Sequence, residues 1–132
     1  MGVWGSGFFE NDDAMEWVAE LEETGFDAIQ AALMVTDVDE IEMTDATVAL
    51  AASVVVLAMA GSTFKNLPEE VEAWLEEHAE RPETSLLERT LEAAQMVHES
   101  SELRSSWEES DDFKSWDRLV RRLVTKLTAK VA

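Results

Sequence analysis

One stretch of 15 residues, from Ala46 to Ala60, limits the possible folds of this chain more than any other, because it is apolar nearly all round. It follows Thr44-Asp45, a typical helix start, and it stops at Gly61. A run of valines at 54–56 would also suit a strand, but the length and the many alanines favour a helix. A helix without a polar face has to be covered on several sides. The stretch therefore predicts a central helix around which the remaining chain packs.

The rest of the chain shows apolar residues spaced three and four apart, which is typical of amphipathic helices. The predicted segments are 12–24, 27–35, a helix entered at Leu67-Pro68-Glu69 and broken at Arg81-Pro82, one from residue 84 or 85 to about 100, a short one through 103 and 107, and a last one after 110–112. At 132 residues and 46% hydrophobic, the chain is large enough to bury one core. We predict a single all-α domain, residues 1–132, with about six helices around the central one.

Residues with known capping preferences mark several of these boundaries. Asn11 is suited to cap the first helix and Gly25 to end it. Ser85 and Glu88 have the spacing of a capping box for a later helix. Before the first helix, we expect Trp4 and either Phe8 or Phe9 to pin the N-terminal loop onto the core beside Trp17.

That N-terminal loop carries a specific pattern of glycines and aromatic residues. It is formed by Gly2, Trp4, Gly5, Gly7, Phe9, Asn11, Asp12, Ala14 and Trp17. The pattern resembles the start of a bacterial family described as domain of unknown function 4259, with Glu16 where Asp is usual. Leu67-Pro68-Glu69 leading to Trp74, and the segment from Ser101 to Ser110, are similar to its later landmarks. The resemblance implies a bacterial, single-domain, mostly helical protein, and it supplies no catalytic residue.

Charge is distributed unevenly along the chain. The net charge is −19, but residues 1–113 hold 28 acidic and four basic residues, whereas residues 114–132 hold Asp117 and six basic residues. An acidic body repels phosphate backbones and attracts basic protein surfaces, so we expect no direct nucleic-acid binding. A solvated or salt-adapted surface, a docking face for a basic partner and mimicry of a nucleic acid all fit this composition. As function we favour a small, non-enzymatic, regulatory or immunity-type module that docks a basic partner.

Two groups of charged residues are candidates for binding. The acidic candidates lie around the start of the first helix: Glu10, Asp12, Asp13 and Glu16. The basic candidates share one face of the last helix: Arg118, Arg121, Arg122 and Lys126. The basic face would suit an acidic partner, including the acidic body of a second copy in a homo-oligomer, although it is also what an ordinary docked amphipathic helix presents.

An alternative is a divalent-metal-dependent enzyme or cation-binding protein. Its candidate ligands are the clustered oxygens of Asp37, Asp39, Glu40 and Glu42, although the cluster lacks the glycine and the ligand spacing of an EF-hand. His78 and His98 form no metal-binding pair by spacing, and we expect both at the surface or its boundary. We expect no catalytic residues and no cofactor.

The absence of cysteine excludes disulfides and thiolate metal sites and fits a reducing compartment. No basic stretch followed by an apolar run opens the chain, and the run at 46–60 is shorter than the ~20 residues of a membrane span. We therefore expect a cytoplasmic protein with no membrane association.

Overall fold

A computed structural model of the protein describes residues 7–62, 67–78 and 80–131. Within them the chain forms seven α-helices and one 3-10 helix, and no strand. The elements are α1 (Asp12–Thr24), α2 (Phe26–Ala32), the 3-10 helix (Leu33–Asp37), α3 (Met43–Met59), α4 (Glu69–Glu77), α5 (Thr84–Glu99), α6 (Glu102–Glu108) and α7 (Phe113–Val131). The all-α prediction is confirmed, with six α-helices of the described chain around the central α3 and a 3-10 helix in addition.

The central position of α3 is also confirmed. It packs against every other helix of the described chain, and twelve of its 17 residues are buried. All three valines of the 54–56 run are fully buried within the helix. The two buried hydroxyls are satisfied inside α3 itself, since Ser53 donates to the Ala49 carbonyl at 2.7 Å and Thr47 donates to the Met43 carbonyl at 2.9 Å. The buried hydroxyls of α3 therefore need no hydrogen-bond partner on a neighbouring helix.

The predicted caps of α1 are confirmed. The Asn11 side chain accepts a hydrogen bond from the Ala14 amide at 2.7 Å, as an N-cap does. Gly25 has a φ of 61°, in the left-handed region, and its amide donates to the Leu21 carbonyl at 2.8 Å. Phe8 and Phe9 are both buried beside this cap, as expected of the N-terminal loop. Trp4 lies outside the described residues.

Three boundary predictions are wrong. The capping box at Ser85 and Glu88 does not form, because Glu83 is the extended residue that accepts the first helical bonds, from the amides of Leu86 and Leu87. Ser85 is thus already inside the first turn, where it cannot cap. The second helix ends at Ala32 and continues as the 3-10 helix, and α4 ends at Glu77, before the predicted break at Arg81-Pro82. The start of α3 at Met43 lies one residue from the predicted start at Thr44-Asp45.

The last helix packs its apolar side against α3, α5 and α6. Trp116, Val120, Leu123 and Leu127 are buried, which leaves the basic side facing outward. No helix of the described chain is long and apolar enough to cross a membrane.

The hub position of α3 leads to a prediction about stability. Replacement of the fully buried Leu57 by alanine should lower the free energy of unfolding by about 2–5 kcal/mol, because the change leaves a cavity among several helices. The matched control is Val38→Ala, at an apolar side chain that is 47% exposed, with an expected change within about 0.5 kcal/mol. Chemical denaturation measures the change in free energy of unfolding for both variants. Equal effects would contradict the central role of α3 in the stability of the fold.

Candidate acidic groove

A surface groove with a volume of about 410 Å³ lies between α1, α2, the 3-10 helix and the start of α3. We refer to it as the acidic groove. Its buried lining side chains form the floor: Trp17, Ala28, Ala32 and Val35. Val48 and Ala31 extend this apolar floor, and three of these six residues are alanines, which leave room above the backbone. The floor is therefore a shallow apolar furrow open to solvent.

Two large apolar side chains stand exposed at the edge of this furrow. Met34 is 59% exposed and Val38 is 47% exposed, and both line the groove. Only one other described large apolar side chain, Met43 at 39%, is comparably exposed, and it lies at the start of α3. Grouped exposed apolar side chains often mark interaction sites, whereas scattered ones need no explanation.

Four carboxylates line the groove together with this apolar furrow. Asp13, Glu16 and Glu20 follow one another along α1, and Asp45 belongs to the first turn of α3. Among the described residues that line the groove, none is basic. The groove thus combines an apolar floor with an uncompensated negative rim, which suits a ligand that is apolar in the middle and cationic at its edges.

The walls of the groove are held in place by two hydrogen bonds between helices. The Trp17 indole nitrogen donates to the Ala28 carbonyl at 3.1 Å and joins α1 to α2. The Thr44 hydroxyl donates to the Asp13 carboxylate at 3.2 Å and joins α3 to α1. Gly25, with its positive φ, makes the sharp turn between α1 and α2.

The start of α3 is further fixed from the opposite half of the chain. The Met43 amide, one of the unpaired donors at a helix N-terminus, donates to the Glu102 carboxylate at 3.1 Å. The Glu102 amide in turn donates to the Ile41 carbonyl at 3.0 Å. These paired contacts connect α6 to the end of α3 that carries Asp45.

The predicted acidic candidates divide between two places. Asp13 and Glu16 line the groove, whereas Glu10 and Asp12 do not. Glu10 instead accepts a hydrogen bond from the Gly7 amide at 3.2 Å, and Asp12 is exposed in the first turn of α1. Glu20 was missed as a candidate, although it lies one helical turn beyond Glu16 and the spacing alone points to it.

The candidate metal ligands remain a prediction without geometric support. Asp37, Asp39, Glu40 and Glu42 are all exposed. Across residues 7–62, 67–78 and 80–131, no three histidine or acidic side chains form a group that could hold a metal ion.

The predicted basic face exists as an open depression of about 660 Å³ along α7. Its lining includes all four predicted residues, together with Lys114, Asp117 and Thr125. Arg118, Arg121 and Arg122 are exposed and Lys126 is partly buried. In contrast to the acidic groove, this surface offers no large apolar side chain among the described residues that line it.

One carboxylate ties the basic face to the rest of the bundle. Asp117 bonds His98 of α5 through its Oδ1 at 2.6 Å and accepts a hydrogen bond from Arg121 through its Oδ2 at 2.8 Å. The hydrogen bond with His98 lowers the pKa of Asp117, and the hydrogen bond and charge of Arg121 lower it further, against partial burial, which raises it. Arg104 donates to the His98 carbonyl at 2.7 Å.

Both histidines are partly buried, which confirms their predicted boundary position. The contact between His98 and Asp117 was not predicted, because 19 residues separate them and only the packing of α5 on α7 brings them together. His78 instead stacks on Trp74 with ring centroids 4.1 Å apart.

These features define the class of the molecule as a small, acidic, all-helical protein with an apolar groove rimmed by carboxylates. The chain belongs to the family described as Domain of unknown function (DUF4259), whose sequence model matches residues 2–118. The predicted family membership is therefore confirmed, and the match ends inside α7. No curated protein matches the chain, and no solved structure matches it.

The Asp117 contacts predict a pH-dependent contribution to stability. Asp117→Asn should lower the free energy of unfolding by about 1–2 kcal/mol at neutral pH, because it removes the charge that two partners bind. Because folding lowers the pKa of Asp117, wild type keeps its full stability advantage over Asp117→Asn above the unfolded pKa of about 4. The advantage is lost as the pH falls through the folded pKa of Asp117.

Denaturation of both proteins from pH 7 to pH 2 measures this difference. Asp111→Asn, at an exposed carboxyl in the turn before α7, is the matched control and should change little at any pH. A difference between wild type and Asp117→Asn that stayed constant down to pH 2 would rule out the stated cause.

Proposed function

We propose that the protein is a non-enzymatic binding module that docks a basic partner protein in the acidic groove. The observation that carries this proposal is the exposure of Met34 and Val38 in a groove whose described lining includes four carboxylates and no basic residue. Each feature alone has an ordinary explanation, since single apolar side chains are common on surfaces and acidic residues keep proteins soluble. Their combination in one groove favours a partner with complementary chemistry.

The apolar and the charged parts of the groove have different roles in this proposal. Burial of Met34, Val38 and the alanine floor supplies affinity, because it removes apolar surface from water. The carboxylates of Asp13, Glu16, Glu20 and Asp45 speed the approach of a cationic surface and exclude acidic ones. The same carboxylates disfavour a phosphate backbone, so a protein is a better partner than a nucleic acid.

The biological role that follows is regulatory or immunity-type neutralisation. A module that covers a basic surface on another protein blocks whatever that surface binds. The class of the captured partner separates plain docking from nucleic-acid mimicry, since mimicry requires that the covered surface be one that binds nucleic acid.

Charge reversal in the groove tests the proposal. Glu16→Lys/Glu20→Lys should reduce capture of a basic protein from lysate of the source organism by about tenfold, because two attractive charges become repulsive. Glu72→Lys/Glu76→Lys is the matched control, with the same spacing, the same charge change and exposed positions on α4, outside the groove. Quantitative mass spectrometry at low and raised salt compares the two variants with wild type.

The expected pattern is a basic protein that wild type and the α4 variant retain at low salt and lose at raised salt, and that the groove variant does not retain. Equal loss with both variants would mean that net charge, and not the groove, controls capture. Retention by all three proteins at every salt concentration would also contradict the proposal.

A further inference from the structure

We infer that the segment of the partner that occupies the acidic groove is an amphipathic α-helix with an apolar stripe flanked by lysines or arginines. This inference rests on the proposed function and specifies the shape and the chemistry of the ligand for the same groove. Three features of the groove support it: the state of its backbone, the form of its floor and the placement of its charges.

The main chain around the groove has few free hydrogen-bonding groups with which an extended peptide could pair. Every residue of the described lining except Val38 belongs to α1, α2, the 3-10 helix or α3, where most main-chain groups bond within the helix, apart from amides in the first turns of α1 and α3. An extended ligand gains affinity chiefly by adding main-chain hydrogen bonds to a sheet edge, and no strand exists in the described chain. A helical ligand forms its main-chain hydrogen bonds internally, so it does not need main-chain partners in the groove.

The floor suits the apolar stripe of a helix. Ala28, Ala31 and Ala32 provide a low surface, and Met34 and Val38 stand at its edge where they can contact side chains one turn apart on a ligand. Methionine is unbranched and polarisable, so Met34 can adapt to several apolar partners. This is the helix-in-groove mode of recognition, in which apolar anchors recur at three and four residues.

The charges are placed for cations on the flanks of that helix. Asp13, Glu16 and Glu20 occupy two turns of α1, a rise of roughly 10 Å at about 1.5 Å per residue, and Asp45 lies on the α3 side. A ligand with basic residues beside its apolar stripe therefore meets carboxylates from α1 and from α3. Acidic residues at the same positions would be repelled.

A second copy of this chain does not fit the description. Its basic amphipathic helix, α7, already uses its apolar side, since Val120, Leu123 and Leu127 are fully buried in its own core. The exposed side of α7 offers cations without apolar anchors. The occupant is therefore a helix from a different protein.

Two displayed peptide libraries test the inference with the full-length protein as bait. Both consist of 18-residue peptides with the same proportions of leucine, lysine, arginine and alanine, and the first keeps apolar residues at helical spacing. The second carries the same residues with prolines at two central positions, which prevent a helix. We expect selection to enrich the helical library at least about tenfold over the proline library, since only a helix presents its stripe and its cations together.

A pair of substitutions, one inside the groove and one outside it, tests whether the selected peptides bind in the groove. Ala31→Phe places a large side chain in the furrow at an exposed position of α2, whereas Ala73→Phe makes the same change at an exposed position of α4 outside it. The selected peptides should bind wild type and Ala73→Phe equally, by fluorescence anisotropy, and bind Ala31→Phe about tenfold more weakly. Equal binding to both variants would overturn the inference.

The remaining outcomes separate this inference from the proposed function. Equal enrichment of the two libraries, or of neither, overturns the helical ligand. The proposed function is then decided independently by the salt-dependent capture and the charge-reversal pair on α1 and α4. If the capture fails as well, both are overturned.

Discussion

The structure depends on the burial of α3, a helix with no side that can face water. Every other helix of the described chain packs against it, and the buried hydroxyls of Ser53 and Thr47 bond inside the helix itself. A helix that is apolar all round does not determine where its neighbours pack, because any of its sides can be covered. The arrangement of the neighbours is set instead by their own amphipathic faces and by specific polar contacts, such as the bond from Trp17 to the Ala28 carbonyl.

The acidic groove is a consequence of this way of building the core. Ile29 of α2 and Leu33 of the 3-10 helix are fully buried, whereas Ala28, Ala31 and Ala32 line the groove and are too small to fill it. Met34 and Val38 remain exposed there, the first within the 3-10 helix and the second directly after its last residue. On α7, by contrast, large side chains fill the interface with the bundle, and none of the exposed residues of the helix is a large apolar one. The two charged surfaces therefore differ in kind, and only the groove has an unsatisfied apolar component.

The sequence predicts the helices well and the site only in part. The bounds of α1 follow from Asn11 and Gly25, because capping is local chemistry. The start of α5 was predicted at residue 84 or 85 and is observed at Thr84, but the capping box at Ser85 and Glu88 was wrong because Glu83 takes the N-cap position. Asp13 and Glu16 were recognisable as acidic residues at a helix start. Their assembly with Asp45 and the exposed Met34 depends on helix packing, which a single sequence does not specify.

The contact between Glu102 and the start of α3 has a consequence for how this molecule folds. Glu102 closes the first turn of a helix that begins 59 positions earlier in the chain, and its amide bonds the Ile41 carbonyl beside it. One wall of the groove is thus completed by the C-terminal half, although every groove-lining residue lies in the N-terminal half. An N-terminal fragment would contain every described residue that lines the groove without the contact that fixes the start of α3. The shape of the groove therefore depends on the folding of both halves of the chain.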